Sequence, residues 1–277
     1  MTGSGHGHFH DEDLDWKELG PQLERGAEVT AAWSDQAVAW LAARPAAVRR
    51  VLDIGSGPGV TTCRLAQAFP HADVVAVDGE PALLARVTER AARLGLAARV
   101  STREADLIWT SHVLHHIGDQ RDGVARLAAL LQPGGVLAIA EGGLSPRFLP
   151  RDLGFGRPGL EARLEALQSD WFNDMRASLP GTVATVDDWP AMLTEAGLTA
   201  PESRTFLAEV RPPLDAKARE YIHQAFTRSR DILTDRLTEE DRTTLDRLLD
   251  PEDKSGLMHR PDTYVLTART VHAARRP

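Results

Sequence analysis

Val51-Leu52-Asp53-Ile54-Gly55-Ser56-Gly57-Pro58-Gly59 joins a buried-strand pattern to a carboxylate and three glycines spaced two apart. The run Arg50 to Ile54 is β-branched and aliphatic and too short for a helix, which suits a strand covered on both faces. It ends at glycines, which permit positive φ and let a ligand approach the backbone with no Cβ in the way. The segment Thr61 to Phe69 then sets Leu65, Ala68 and Phe69 at helical spacing. Strand, glycine turn and helix N-terminus together present unpaired N–H groups at the carboxyl edge of a sheet, where open α/β folds bind ligands. The stretch reads as a nucleotide-cofactor cradle.

A second strand, Asp73 to Val77, closes on Asp78, 23 positions beyond Gly55. An acid at that place can accept both ribose hydroxyl hydrogens. Dinucleotide enzymes carry such an acid too, so the glycine spacing decides. Their fingerprint is G-x-G-x-x-G, whereas here Val60 stands at the third glycine's place and the glycine falls at position 59. The D-x-G-x-G-x-G arrangement resembles motif I of the class I S-adenosylmethionine-dependent methyltransferases. Ala105-Asp106, then Leu107 to His116 with its S-x-x-L-H-H segment, then Leu131-Gln132-Pro133-Gly134-Gly135 and the strand after it follow in that family's order. The resemblance runs from Val51 to Glu141, about a third of the chain.

The resemblance implies an α/β fold: a Rossmann-like, mostly parallel seven-stranded sheet with helices on both faces. The residue pattern agrees, with strands at 51–54, 73–77, 99–102, 107–111 and 135–140 alternating with helices at 60–69, 81–94 and 119–131. One link is too short. Between Val100 and Ile108 only a few residues separate what should be parallel strands three and four, whereas a crossover needs about a dozen. Either strand three is absent or residues are missing around Glu104 to Ile108.

By resemblance, Gly55, Gly57 and Gly59 line the methionine portion of S-adenosylmethionine, and Asp53 positions the turn and contacts the amino group. Asp78 holds the ribose hydroxyls, and Ser111 and His112 contact the methionine side after strand four. Asp106 matches the acid that reaches the adenine amino group, provided it closes strand three; if it opens strand four, the assignment fails. Methyl transfer from a sulfonium is an in-line displacement, so the protein must hold the acceptor atom about 3 Å from the carbon and exclude water. If the acceptor is a hydroxyl or ammonium, a base must take its proton, and a neutral histidine suits that near pH 7. His116 and His115 stand just beyond strand four as candidates, and Glu141, ending strand five, is a third. A paired histidine at such a place also serves as structure, one ring capping the next helix. Arg147, Arg151 and Arg157 are candidates for recognising an acidic substrate, with solvated charge as the default for each.

Around this core, residues 1–13 carry His6, His8 and His10 among glycines and acids and read as a flexible start. Residues 14–143 hold the core with its N-terminal helices, whose apolar face includes Trp33, Ala37, Val38, Trp40 and Leu41; Trp16 and Trp33 are candidates for the cofactor side. Segments 144–185 and 212–260 are helical insertions expected to form a lid, with dimerisation as a competing role. Core returns at 186–211, including an acid-capped helix at 187–197, and at 261–277 as a final strand. Net charge is −8 with the acids spread, which argues against a nucleic-acid surface. No apolar run reaches the ~18 residues of a membrane span, and no basic-then-apolar leader is seen, so a cytoplasmic protein with no membrane partner is expected. The single cysteine, Cys63, reads as a core filler, and no metal site is expected. The leading function is methylation of O, N or C on a small organic molecule. The Ala-, Arg-, Gly- and Leu-rich composition resembles that of high-GC bacteria, where such enzymes tailor secondary metabolites. An NAD-dependent oxidoreductase and a non-catalytic cofactor-binding protein are the alternatives.

Overall fold

The computed structural model describes residues 16–44, 48–78, 80–97 and 105–277. Helices α1 (Trp16–Val29) and α2 (Ala31–Ala42) precede strand β1 (Arg50–Ile54). Then come α3 (Val60–Ala68), β2 (Asp73–Val77), α4 (Pro81–Arg93), β3 (Ala105–Ser111), α5 (Gln120–Ala129) and β4 (Leu131–Arg147). The chain ends with α6 (Leu160–Ser178), α7 (Trp189–Glu195), β5 (Thr199–Val210), α8 (Ala216–Ile232), α9 (Glu239–Leu249) and β6 (Val265–Arg275). Helix starts follow local chemistry: Asp119, Asp188, Asp215 and Thr238 each accept a hydrogen bond from a backbone N–H three residues on, satisfying a donor that the first turn cannot pair internally.

The described strands form one six-stranded sheet in the order β2-β1-β3-β4-β6-β5. β1 pairs in parallel with β2 and β3, β3 pairs in parallel with β4, and β6 runs antiparallel between β4 and β5. The expected Rossmann-like arrangement is present, but with six strands among the described residues rather than seven. The expected strand at 99–102, the flexible start at 1–13 and most of the short link lie outside the described residues. β4 continues past the expected 135–140 because Gly143, Leu144 and Arg147 pair onward with β6 through two register shifts.

Two apolar layers clamp the sheet. On one face α2 and α3 bury Trp33, Val38, Leu41, Leu65 and Phe69 against Val51, Trp109 and Ala138. On the other, Val124, Trp189, Met192 and Leu193 cover Leu52, Ile108, Leu137 and Ile139. A third cluster lies past the ends of β4 and β6, where Phe148 and Val265 meet Leu160 and Leu164 of α6, Ile222 and Phe226 of α8, and Leu245 and Leu248 of α9. Segments 144–185 and 212–260 thus share one core outside the carboxyl edge. Arg163 of α6 grips the buried Asp241 of α9 with Nη2 at 2.6 Å and Nε at 3.0 Å. Removing Arg163 would leave the buried Asp241 carboxylate without its counter-charge. No helix among the described residues is long and apolar enough to cross a membrane.

Candidate active site

The glycine turn folds at the carboxyl end of β1. Gly55, Gly57 and Gly59 all have positive φ, at 67°, 53° and 81°. A Cβ on Gly55 would sit 2.0 Å from Val113 Cγ2, and one on Gly59 would meet Val87 at 2.9 Å, whereas one on Gly57 would meet nothing within 4 Å. The turn is therefore pinched on two sides and open at its middle. The Gly55 and Ser56 amides donate to the Val77 carbonyl, which ties the turn to β2. Asp78, at the end of β2, accepts from Gly57 N at 2.8 Å and from Glu80 N at 3.0 Å. Ser56 Oγ is buried with no partner among the described residues, so the turn holds an unspent hydroxyl. A buried polar atom normally finds a partner, and a polar ligand over Gly57 would supply one.

Asp53 lies beneath the turn, fully buried, and accepts from Thr62 Oγ1 at the start of α3. Burial pushes its carboxyl up to about 7; the neighbouring charge of Asp78 adds to the rise, and the Thr62 hydrogen bond opposes it. The unfolded chain loses this proton near pH 3.9, so the folded state binds it more tightly. Its contribution to stability is full below about pH 4 and is lost as pH rises through about 7. In Asp53→Asn the melting temperature should depend less on pH between 5 and 8, by about 3 °C or more in scanning calorimetry. An unchanged dependence would clear Asp53 of this role.

The segment after β3 forms the next wall. His112 takes a left-handed φ of 57°, and its Nδ1 lies 2.9 Å from Ser111 Oγ. Its ring is open to solvent yet deep among protein atoms. That depth, with the Arg269 charge, pushes its imidazole down to about 4, so it is neutral at pH 7. Trp33 meets His112 edge-on with ring centroids 6.5 Å apart and stacks on Trp109 at 6.2 Å. Trp33 thus packs in the core while reaching the site; of the Trp16 side chain nothing is described.

The short turn Leu114–His116 settles which histidine is held. Glu141, buried near the carboxyl edge of β4, accepts from Val113 N at 3.0 Å and Leu114 N at 3.1 Å through Oε1, and its Oε2 lies 2.9 Å from His115 Nδ1. Burial works to raise the Glu141 carboxyl, but the hydrogen bond and charge of His115, the charge of His112 and the Val113 N–H outweigh it and hold it low. His115 also packs edge-on against Phe172 of α6 at 5.5 Å. Arg176 of α6 donates to the carbonyls of His115 and Ile117 at 2.7 Å each. His116 is exposed, its ring 4.2 Å from that of His115. His115 and Glu141 open onto a cavity of about 620 Å³ walled by Phe172, Arg176, Trp189 and His272, among others. Val113 links this cavity to the cradle, since its side chain presses on Gly55 while its amide binds Glu141.

Asp106 requires a correction. It opens β3, and its Oδ2 accepts from Arg49 N and Arg50 N at 2.9 Å each, where β1 begins. That is the amino edge of the sheet, opposite the glycine turn, so Asp106 ties two strand starts together and cannot reach a ligand in the cradle. The three candidate arginines also lie elsewhere: Arg147 pairs with Glu165, and Arg151 and Arg157 are exposed and off the cavity. Arg176, His272 and Arg269 went unremarked in the sequence because only the packing of α6 and β6 brings them to this edge. Cys63 is buried, and among the described residues no group of acids, histidines and cysteines could hold a metal.

A family model described as a methyltransferase domain matches residues 52–137. A trans-aconitate 2-methyltransferase of Methylobacterium radiotolerans is 41% identical over 98 residues, covering 34% of this chain and 38% of that protein. One of Variovorax paradoxus is 42% identical over 96 residues, covering 32% and 37%. One of Methylobacterium nodulans is 30% identical over 192 residues, covering 62% and 74%. The match thus spans under two fifths of the length of the first two relatives and about three quarters of the third.

Proposed function

Because this chain belongs to the class I S-adenosylmethionine-dependent methyltransferases, we propose that it methylates oxygen, nitrogen or carbon of a small organic acceptor bound in the cavity at His115 and Glu141. The observation that carries this reading is the His115–Glu141 contact at 2.9 Å, set between that cavity and the glycine turn. In this reading Gly55, Gly57 and Gly59 with Ser56 hold the methionine end of the cofactor. Asp53 favours its positive charge, Asp78 faces the ribose hydroxyls, and Ser111 and His112 close the side after β3. When bound, S-adenosylmethionine supplies an activated methyl carbon on a sulfonium.

The chain's own work is positioning and proton handling. Glu141, an ionised acceptor, calls for the His115 tautomer that carries hydrogen on Nδ1 and donates it to Oε2. His115 Nε2 is then a lone-pair acceptor for an acceptor hydroxyl or ammonium proton, and the adjacent carboxylate stabilises the imidazolium that forms. Glu141 is itself anchored by two backbone amides and Arg176 fixes the His115 carbonyl, so the ring is held from both ends. Helices α6, α8 and α9 act as the lid that excludes water. The small-molecule acceptor is the partner proposed, in a cytoplasmic setting and without nucleic acid; the helices of both insertions are the surface on which a second copy would dock in a homodimer.

Incubating the purified protein with S-adenosylmethionine and a panel of small carboxylic acids, phenols and amines should give acceptor-dependent release of S-adenosylhomocysteine. Cofactor binding with no turnover across the panel would favour a non-catalytic binder.

A further inference from the structure

The acceptor cavity lies on the face of the sheet that α5 and α7 cover. Ile139 pairs with His272 across β4 and β6, and Glu141 and Thr270, each two residues along, line the cavity with His272. Trp189 of α7 and Phe172 of α6 supply apolar wall. The turn from His115 to Gln120 closes one side. Arg176 Nη1 donates to its carbonyls at His115 and Ile117, and Val183 N donates to the Gly118 carbonyl at 3.1 Å. Tied down at these three carbonyls, the turn sets Gln120, the first residue of α5, in a fixed place against the cavity.

Gln120 is 2% exposed, and its side-chain amide has no hydrogen-bond partner among the described residues. Neither amide atom is sealed off, so the little surface that the residue keeps belongs to the amide and opens into the cavity. Buried carboxamides normally pair, and one left unpaired is destabilising. Its polar neighbours on the wall are spent elsewhere. Thr182 Oγ1 donates to the Arg176 carbonyl and Thr185 Oγ1 to the Val183 carbonyl. Thr270 Oγ1 lies 3.0 Å from Thr205 Oγ1, and His272 Nδ1 lies 2.8 Å from Ser203 Oγ. Arg176 is half-buried and spends only Nη1; its Nε–H and Nη2–H edge has no partner, and no carboxylate lies within ion-pair distance, among the described residues.

We propose that the Gln120 amide and the free edge of Arg176 bind the carboxylate-bearing end of the acceptor, which makes the substrate a small monocarboxylic acid. This rests on the methyltransferase reading and names its substrate class. A guanidinium edge offers two parallel N–H donors at the spacing of two carboxylate oxygens, and the carboxamide adds further donors and an acceptor. Gln120 stands three residues past Ile117, whose carbonyl Arg176 holds, so at most about 11 Å of backbone separates the two anchors. One small molecule spans that distance and lies beside His115, whose carbonyl the same guanidinium holds. The charge of the acceptor follows from the acids around it. Glu141 is already matched to His115, and exposed Asp187 adds a second acid to the lining. A single guanidinium among these suits one carboxylate better than a phosphate or a polyacid. The buried amide also discriminates, because a ligand with no group to match it leaves it unpaired.

The test uses protein loaded with S-adenosylhomocysteine and titrated with crotonate, benzoate, cinnamate and salicylate, each beside its own amide. At least one acid should bind, with its amide at least tenfold weaker, and trans-aconitate, with three carboxylates, should bind more weakly than that acid. Gln120→Met keeps the volume and removes the amide, so it should weaken the acid about tenfold while the melting temperature holds or rises. A structural role for Gln120 would lower the melting temperature instead. Arg176→Lys keeps a cation for the turn carbonyls but loses the paired edge, and should weaken the acid about tenfold. Affinity for S-adenosylhomocysteine should stay near the parent value in both variants. The proposal is overturned if S-adenosylhomocysteine binds normally but no acid is preferred to its amide, if trans-aconitate binds tightest, or if Gln120→Met takes the acid as the parent does or melts lower. If S-adenosylhomocysteine itself does not bind, the methyltransferase reading fails instead.

Discussion

Gly55→Ala is expected to lose cofactor affinity by about a hundredfold, and Gly57→Ala to lose affinity with little loss of stability. The two positions carry the same residue in the same turn and differ in what a Cβ would meet. At Gly55 the left-handed backbone alone costs an alanine roughly 1–2 kcal/mol. The new Cβ would also lie 2.0 Å from Val113 Cγ2. Val113 cannot yield freely, since its amide is one of the donors that fix Glu141. Relieving such an overlap costs about 1–3 kcal/mol, and the sum of about 3 kcal/mol is roughly a hundredfold in a binding constant. Part of the loss should appear as a lower melting temperature. At Gly57 the Cβ would enter open space, so only the backbone term touches folding while the methyl occupies volume assigned to the ligand. Calorimetric titration with S-adenosylhomocysteine beside thermal melts separates the cases. Equal effects of the two substitutions on binding and stability would mean that the space over Gly57 is not the ligand's.

His115→Asn should lower kcat by about 10²–10⁴-fold, the range for a positioned general base, with cofactor affinity nearly unchanged. Glu141→Gln should fall between this variant and the parent. It keeps an acceptor oxygen for the Val113 and Leu114 amides but loses the charge that orients His115 and stabilises its protonated form. His116→Ala should retain kcat within about threefold, because His116 is exposed and off the cavity wall. The discriminating readout is the pH profile. The profile of the parent and that of His115→Asn should differ in shape. A profile of the same shape in both proteins would remove His115 from the proton-transfer step. Full activity of His115→Asn would point to an acceptor, such as a carboxylate oxygen, that needs no base.

The parts legible in the sequence were those in which function depends on neighbours along the chain. Asp53 and the three glycines share one strand and turn, and Asp78 closes the next parallel strand, whose place beside β1 follows from the alternation of strand and helix. The glycine spacing separated this cradle from a dinucleotide site with no tertiary information. Choosing between His115 and His116 was different, because it depends on the register of β3 and β4, which sets Ser111 against Ala140 and so brings Glu141 under His115. That register is set by packing across the sheet, on which side chains face Trp33 and which face α5, and it leaves no mark in the local pattern. Asp106 was misplaced for a related reason: an acid at a strand boundary belongs to the ligand edge or to the far edge according to whether it ends or begins the strand. Here its two bonds to Arg49 and Arg50 show that it begins one.

The central claim, that the turn at Gly55 to Gly59 is a cradle for a sulfonium cofactor and not for a dinucleotide, is tested most directly by calorimetric titration of the purified protein. S-adenosylmethionine and S-adenosylhomocysteine should each bind at one site per chain, compete with each other and be weakened by Gly57→Ala, while NAD gives no heat of binding. Saturable binding of NAD with none of S-adenosylmethionine would contradict it.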